Sequence, residues 1–346
     1  MKLHYFEDPA GNFGDDLNPW LWRRLLPQLL DETDDELLVG IGTLLNHRLP
    51  RAPRKHVLGS GYGYGAAPVV DDTWTVYALR GYDTARALGL SRDRVITDAA
   101  VLVALVDRPS APRADRNAGY MPHALSNSYY DWESLCADAG MHFIDARWPV
   151  ERVLYEISRC SVLVTEAMHG AIVADALRVP WVAAQAYDYI SGAKWRDWLS
   201  TQELPYDPAP ISSLFDVERG LSLGPRLKSS VKRGLMALGM KGSNWTPPPP
   251  RRTGPKERDL ALGALTAAAR RPGWLSDDKL MQRHIDRYLH QMDRICVTRG
   301  LATWTPALRG EMILRAVSTK SWGPSAGPPS AQSGSGMEPA RPRHIV

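Results

Sequence analysis

A chain of 346 residues with 44% hydrophobic and 23% charged residues is too long for one small core and predicts about two compact domains plus extra segments. That composition excludes a disordered chain, and no stretch approaches the ~18 uncharged apolar residues a membrane-spanning helix needs. The formal net charge of +4 arises largely in the C-terminal third and gives no reason to expect a nucleic-acid partner.

The first eight residues reach Glu7 and Asp8 before any long apolar run develops, so they read as a first strand and not as a leader peptide, which places the chain in the cytoplasm. Behind that strand (3–6), the alternation predicts a helix over 15–30, strands over 36–39, 56–58 and 74–78, and a helix over 81–88. A polar stretch with Pro and Arg, 107–116, interrupts the pattern. It resumes with strands over 118–121, 142–145, 162–165 and 181–184, separated by helices over 128–139, 149–160 and 169–177 and followed by one over 192–199. Short apolar strands alternating with amphipathic helices are the pattern of parallel α/β sheets.

After about Pro205 the character changes. Pro and Gly become frequent, with four prolines at Pro247–Pro250, and the sheet is not expected to continue. Helices are predicted over 256–271 and 276–297. The stretch 224–242 carries Arg226, Lys228, Lys232, Arg233 and Lys241 without an acid, and Leu227, Val231, Leu235 and Leu238 recur in it at helical spacing, which is the pattern of a basic amphipathic helix that can lie on anionic lipid. The tail from Ser321 is rich in Gly, Ser and Pro and reads as disordered. The expected domains are an N-terminal α/β lobe (1–110), a C-terminal α/β lobe (111–204), a helical or irregular extension (205–320) and a tail (321–346). Two Rossmann-like lobes joined in this way resemble the GT-B fold of glycosyltransferases, with a cleft between them.

In open α/β sheets ligands sit beyond the carboxyl ends of the strands, so residues just after strands carry most weight. Gly11-Asn12-Phe13-Gly14-Asp15-Asp16-Leu17-Asn18 follows the first strand and opens a helix, whose unpaired amides suit an anion or a polar group; a plain turn with an Asp cap explains the same letters. Gly59-Ser60-Gly61-Tyr62-Gly63-Tyr64-Gly65 puts bare backbone and aromatic edges at a strand end, as a sugar site would. In Leu79-Arg80-Gly81 the arginine offers a permanently charged fork for a carboxylate or phosphate. Val162-Leu163-Val164-Thr165-Glu166-Ala167-Met168-His169-Gly170 runs a strand into a helix with His169 at its start, where an imidazole can pass protons near pH 7. Of the nine histidines, only His123 follows a strand as directly. The three cysteines, Cys136, Cys160 and Cys296, lie far apart and read as buried thiols. No metal-ligand spacing, dinucleotide loop or Walker sequence is present.

Taken in order, Asn12-Phe13-Gly14-Asp15-Asp16-Leu17-Asn18-Pro19, Gly40-Ile41-Gly42-Thr43-Leu44-Leu45, Val57-Leu58-Gly59-Ser60-Gly61, Leu79-Arg80-Gly81, Thr97-Asp98-Ala99-Ala100 and Met168-His169-Gly170-Ala171 through Val179-Pro180 resemble the polysaccharide pyruvyl transferase family, especially its succinoglycan-type branch. The resemblance spans about residues 1–200. It implies transfer of pyruvate from phosphoenolpyruvate to a sugar diol, giving a ketal and phosphate, without metal or other cofactor. It implies His169 as the catalytic residue and Arg80 and Lys194 as donor-binding residues. Asn12, Gly14, Asp15, Gly61 and Met168 join them around the donor, and Asp16, Tyr62, Tyr64 and His123 are candidates for the acceptor. Where the family usually carries Arg-Leu-His, this chain has Ala167-Met168-His169. A lipid-linked oligosaccharide is the implied acceptor, with peripheral contact at the inner membrane face through 224–242. The same pattern also fits a GT-B glycosyltransferase using a nucleotide sugar, or a non-catalytic polysaccharide-assembly protein.

Overall fold

A computed structural model describes residues 1–31, 33–108, 117–217, 223–238 and 251–303. Two all-parallel sheets organise them. The first contains β1 (Lys2–His4), β2 (Glu36–Val39), β3 (Arg54–Leu58) and β4 (Trp74–Ala78) in the order β1-β2-β3-β4. The second contains β5 (Asn117–Met121), β6 (His142–Phe143), β7 (Cys160–Thr165), β8 (Trp181–Gln185) and β9 (Ala209–Pro210) in the order β6-β5-β7-β8-β9. These strands are buried over most of their length, as parallel strands covered on both faces must be.

The helices are α1 (Phe13–Leu25), α2 (Tyr82–Ala87), α3 (Trp132–Asp138), α4 (Val150–Ser158), α5 (Met168–Ala176), α6 (Gly192–Leu199), α7 (Leu223–Ala237), α8 (Pro255–Ala269) and α9 (Asp278–Thr298). Helix α1 begins two residues earlier than its pattern suggests because Asn12, not an aspartate, caps it by accepting from Gly14 N. Pro19 lies inside α1 and cannot donate to the carbonyl of Asp15. Buried Asn18 supplies the missing donor, Nδ2 to Asp15 O at 3.1 Å, and its Oδ1 accepts from Ile41 N at 2.8 Å. One side chain thus repairs the helix and fixes it to the loop after β2.

One sequence expectation changes. Strand β9 continues the second sheet beyond residue 205, pairing Ala184 with Ala209 and Gln185 with Pro210; as the outermost strand it tolerates a proline with no N–H to give. The run after Thr97-Asp98 forms a buried 3-10 segment, Ala99–Leu105, capped by Asp98. Residues 109–116 of the expected boundary and the whole tail 321–346 lie outside the described residues.

One hydrophobic cluster spans both sheets, joining Leu38 and Leu58 of the first to Leu163 and Ala183 of the second through Phe13, Leu17, Ala99, Ile172 and Trp198. The C-terminal helices clamp this body. Helix α8 packs on β7 and β8, and α9 on β4 and the 3-10 segment. Buried Asp175 on α5 accepts from Ser276 N and Oγ just before α9. Tyr288 on α9 donates to Thr97 O at 2.6 Å, and Gly59, at φ 102°, lets the β3 end pass directly beneath that phenol. Among the described residues no helix is long and apolar enough to cross a membrane.

Candidate functional site

The second sheet reverses direction between β5 and β7: from β5 the chain moves to β6 on one side and then to β7 on the other. A crevice opens beyond the carboxyl ends of such a pair of strands. His123 stands after β5, and Glu166 to His169 stand after β7. Buried Glu166 ties the strand ends together. It accepts from His123 N at 3.2 Å, Ser126 Oγ at 2.5 Å and Ala186 N at 2.7 Å, and burial pushes its carboxyl above the ordinary range. Gly170 lets α5 come down on Met121, since a Cβ there would meet the Met121 sulfur at 2.7 Å.

The loops of the first sheet close over this crevice. Phe13 N donates to Ala146 O at 2.7 Å, joining the Gly11-Asn12 turn to the loop after β6. One turn of α1 then lies directly on α5, where a Cβ on Gly14 would collide with Nδ1 of His169. This contact requires glycine. The opposite ring nitrogen, Nε2, is buried without a hydrogen-bond partner and lies 3.6 Å from Asp98 Oδ2, itself buried and unpartnered at that oxygen. His169 keeps 16% of its side chain exposed while Asp98 has none. The imidazole is therefore sandwiched between a glycine and a buried carboxylate, with one edge toward the crevice.

Asp15 and Lys194 complete the cluster. Burial raises the Asp15 carboxyl to about 6, opposed by the nearby charges of His169 and Lys194. Burial lowers the Lys194 ammonium to about 8, opposed by Asp15. Lys194 donates to the Tyr64 hydroxyl and lies 3.5 Å from the centre of that ring. Tyr64 is half exposed, at φ 70°. A histidine thus stands at the strand ends beside a carboxyl and an amine whose charges both change near neutrality, an arrangement suited to moving protons and holding an anion. The chain belongs to the polysaccharide pyruvyl transferase family.

Residues 12–188, just over half of the chain, match that family, and the matched stretch contains Asp15, Arg80, Asp98 and His169. The chain is also 40% identical over 218 residues to the succinoglycan biosynthesis protein ExoV of Rhizobium meliloti (strain 1021), an alignment covering 62% of this chain and 69% of that protein. Lys194 lies just beyond the family match, on α6.

The other anticipated residues divide between the crevice and its supports. Met168 is half buried beside His169. Asp16 turns back to accept from Asn12 N at 3.2 Å and closes the turn that positions Gly14. Gly14 N donates to Asn12 Oδ1 and Gly61 N to Gly42 O, so both amides are engaged within the fold. Tyr62 N is held by Thr84 Oγ1 and its hydroxyl by Gly65 O. His123 lies edge-on to Tyr189, and burial lowers its imidazole to about 4.

Arg80 is placed differently from a donor-binding arginine. Its side chain has no exposed surface. Nε donates to Asp197 Oδ2 at 2.9 Å, one terminal nitrogen to Thr43 Oγ1 at 2.8 Å and the other to Tyr62 O at 3.0 Å, and Gly61 packs against the guanidinium. Asp197 also accepts from Thr84 N and Oγ1. The arginine ties the Gly-Tyr loop to α6, the helix that carries Lys194.

Asp98, Glu166 and Asp197 were not identified from the sequence. Asp98 left a signal beyond its place in the Thr97-Asp98-Ala99-Ala100 stretch: it is the lone acid in Val95-Ile96-Thr97-Asp98-Ala99-Ala100-Val101-Leu102-Val103, and an acid in an apolar run needs a partner.

Proposed function

We propose that the protein transfers pyruvate from phosphoenolpyruvate to two hydroxyls of one sugar in an exopolysaccharide repeat unit, forming a ketal and releasing phosphate. The observation that carries this reading is the meeting of His169, Asp98, Asp15 and Lys194 at the β5/β7 reversal, in a chain of the pyruvyl transferase family related to a succinoglycan biosynthesis protein.

The donor's methylene carbon gains a proton, which leaves a cationic centre at the adjacent carbon. A sugar hydroxyl attacks it and forms the first C–O bond. Cleavage of the C–O bond to phosphate regenerates the cationic centre, and the second hydroxyl closes the ketal. Of the two hydroxyl protons, one ends as part of the new methyl group and the other leaves with phosphate.

His169 is the proton-transfer residue in this proposal, and Asp98 is the positioning residue that fixes its ring. Lys194 and the start of α5, which has no side-chain cap, favour the anionic donor. Asp15, with its carboxyl near 6, takes the hydroxyl proton. Arg80 acts through the loop it holds. For the acceptor, the cleft of about 340 Å³ beyond β5 and β6 offers Tyr129, Tyr130, Trp132 and Phe143 beside Asp145 and Arg147, a mixture of ring faces and polar groups that suits a saccharide. It adjoins the crevice because Arg147 O touches Gly11. The GT-B comparison is proposed on the same footing, from paired parallel sheets whose carboxyl edges face one site.

Thermal protection by candidate donors tests this reading. Phosphoenolpyruvate is expected to raise the melting temperature and nucleotide sugars to leave it unchanged; the reverse pattern would favour a glycosyltransferase.

A further inference from the structure

Helix α7 presents an apolar ridge to solvent. Leu227, Val231 and Leu238 are 69%, 57% and 78% exposed, and positions i, i+4 and i+11 lie within about 40° of one another around a helix. Among its described side chains Ser229 is buried, and Leu235 and Met236 are half buried. A helix packed on its own domain shows the opposite distribution, with apolar residues inward and polar ones outward.

The sequence around this helix carries fixed charge of one sign. Between Glu218 and Glu257 the sequence contains no Asp or Glu, while Arg219, Arg226, Lys228, Lys232, Arg233, Lys241, Arg251, Arg252 and Lys256 supply nine cations. Lys228 is exposed next to the stripe, while Lys232 and Arg233 lie farther round the helix on either side of Ser229 and are half buried. An outward apolar ridge bordered by cations fits an interface that is hydrocarbon at the centre and anionic around it, which is the boundary of an anionic lipid bilayer. Basic residues contribute about 1 kcal/mol each at such a surface, and the attraction falls with salt.

We infer that α7 lies along the surface of an anionic membrane, with Leu227, Val231 and Leu238 inserted among the acyl chains and the cations at the headgroups. The inference rests on this helix alone and stands whether or not the pyruvyl-transfer reading is right.

Cosedimentation of the full chain with vesicles tests it. The protein should pellet with phosphatidylcholine vesicles containing 30 mol% phosphatidylglycerol, stay in solution with phosphatidylcholine alone, and be released by 0.5 M NaCl. The triple variant Leu227→Ser, Val231→Ser, Leu238→Ser should lose binding by at least tenfold while keeping its melting temperature, because those side chains support no core. The double variant Lys228→Glu, Lys232→Glu should weaken binding to anionic vesicles in the same way. Failure of the unaltered protein to pellet, or pelleting of the triple variant as tightly as the unaltered chain, would overturn the inference. So would a concentration-dependent dimer that the triple variant abolishes without any vesicle binding, since a second copy would then cover the ridge. Phosphoenolpyruvate binding, measured separately, reports on the catalytic reading and is expected to be unchanged in every one of these variants.

Discussion

His169 Nε2 and Asp98 Oδ2 face each other at 3.6 Å, both buried and neither with another hydrogen-bond partner. A small rotation of the ring converts this approach into a hydrogen bond, as catalytic contacts often tighten when substrate binds. A carboxylate on one ring nitrogen fixes the tautomer and supports the charged imidazolium that proton transfer creates. Asp98→Asn should therefore reduce kcat by about 10²-fold or more with little change in phosphoenolpyruvate affinity, and should shift the pH profile of the remaining activity. Steady-state phosphate release across pH 5–9 measures both. An unaltered profile would show that Asp98 only supports the fold.

Gly14→Ala tests the other side of the ring. Alanine suits the first turn of a helix better than glycine, so helix propensity alone favours the change. The added methyl must displace the His169 ring or α1, and misplacement by about 1 Å can cost about 10²-fold in rate. Activity should fall by that order while circular dichroism shows the helices retained.

Asp15 and Lys194 predict a window of activity. Below about 6 Asp15 takes up its proton, and above about 8 Lys194 loses its charge, so activity should be highest between these values and Asp15→Asn should flatten the acidic limb. The stability effect has a definite sign. Because the folded-state value of Asp15 is raised, charging it costs stability as pH rises from its ordinary 3.8 through about 6. Asp15→Asn should accordingly stabilise the protein at pH 7.5 by roughly 1–3 kcal/mol and lose that advantage near pH 4. For Lys194, lowered from 10.5 to about 8, the cost is present below about 8 and disappears by about 10.5, so Lys194→Met should stabilise at pH 7 but not at pH 10.5. Thermal melts at these pH values decide both cases.

Arg80 should behave as a structural residue. Arg80→Met leaves Asp197 buried without its cation and should destabilise by about 3–5 kcal/mol, and Arg80→Met combined with Asp197→Leu should recover part of that loss. Urea titration measures the effect. A direct donor contact would instead raise KM for phosphoenolpyruvate at unchanged stability.

Most of the architecture was legible because its punctuation is local. Strand ends at Val39, Leu58, Ala78 and Thr165 are marked by the change from apolar runs to Gly, Arg or Glu, and His169 stands out at the start of a helix after such a run. What was hidden depends on contacts between distant parts of the chain. Arg80 looks like an anion-binding residue until Asp197, 117 positions away, is seen to neutralise it. Asp98 acquires its meaning only when the second sheet delivers His169 beside it. Pro205 and its neighbours suggest an end to the sheet, yet an edge strand needs no donor from Pro210. The helical pattern of 224–242 shows an apolar face but not which way it points, and α7 turns it outward.

The most direct test of the central claim is product formation with a lipid-linked oligosaccharide as the acceptor offered. Incubated with phosphoenolpyruvate, the protein should release one phosphate per acceptor modified and produce the methyl signal of a pyruvate ketal by NMR, and His169→Ala should abolish both while still binding phosphoenolpyruvate. Phosphate release without a ketal, full activity in His169→Ala, or glycosyl transfer from a nucleotide sugar in place of pyruvyl transfer would contradict it.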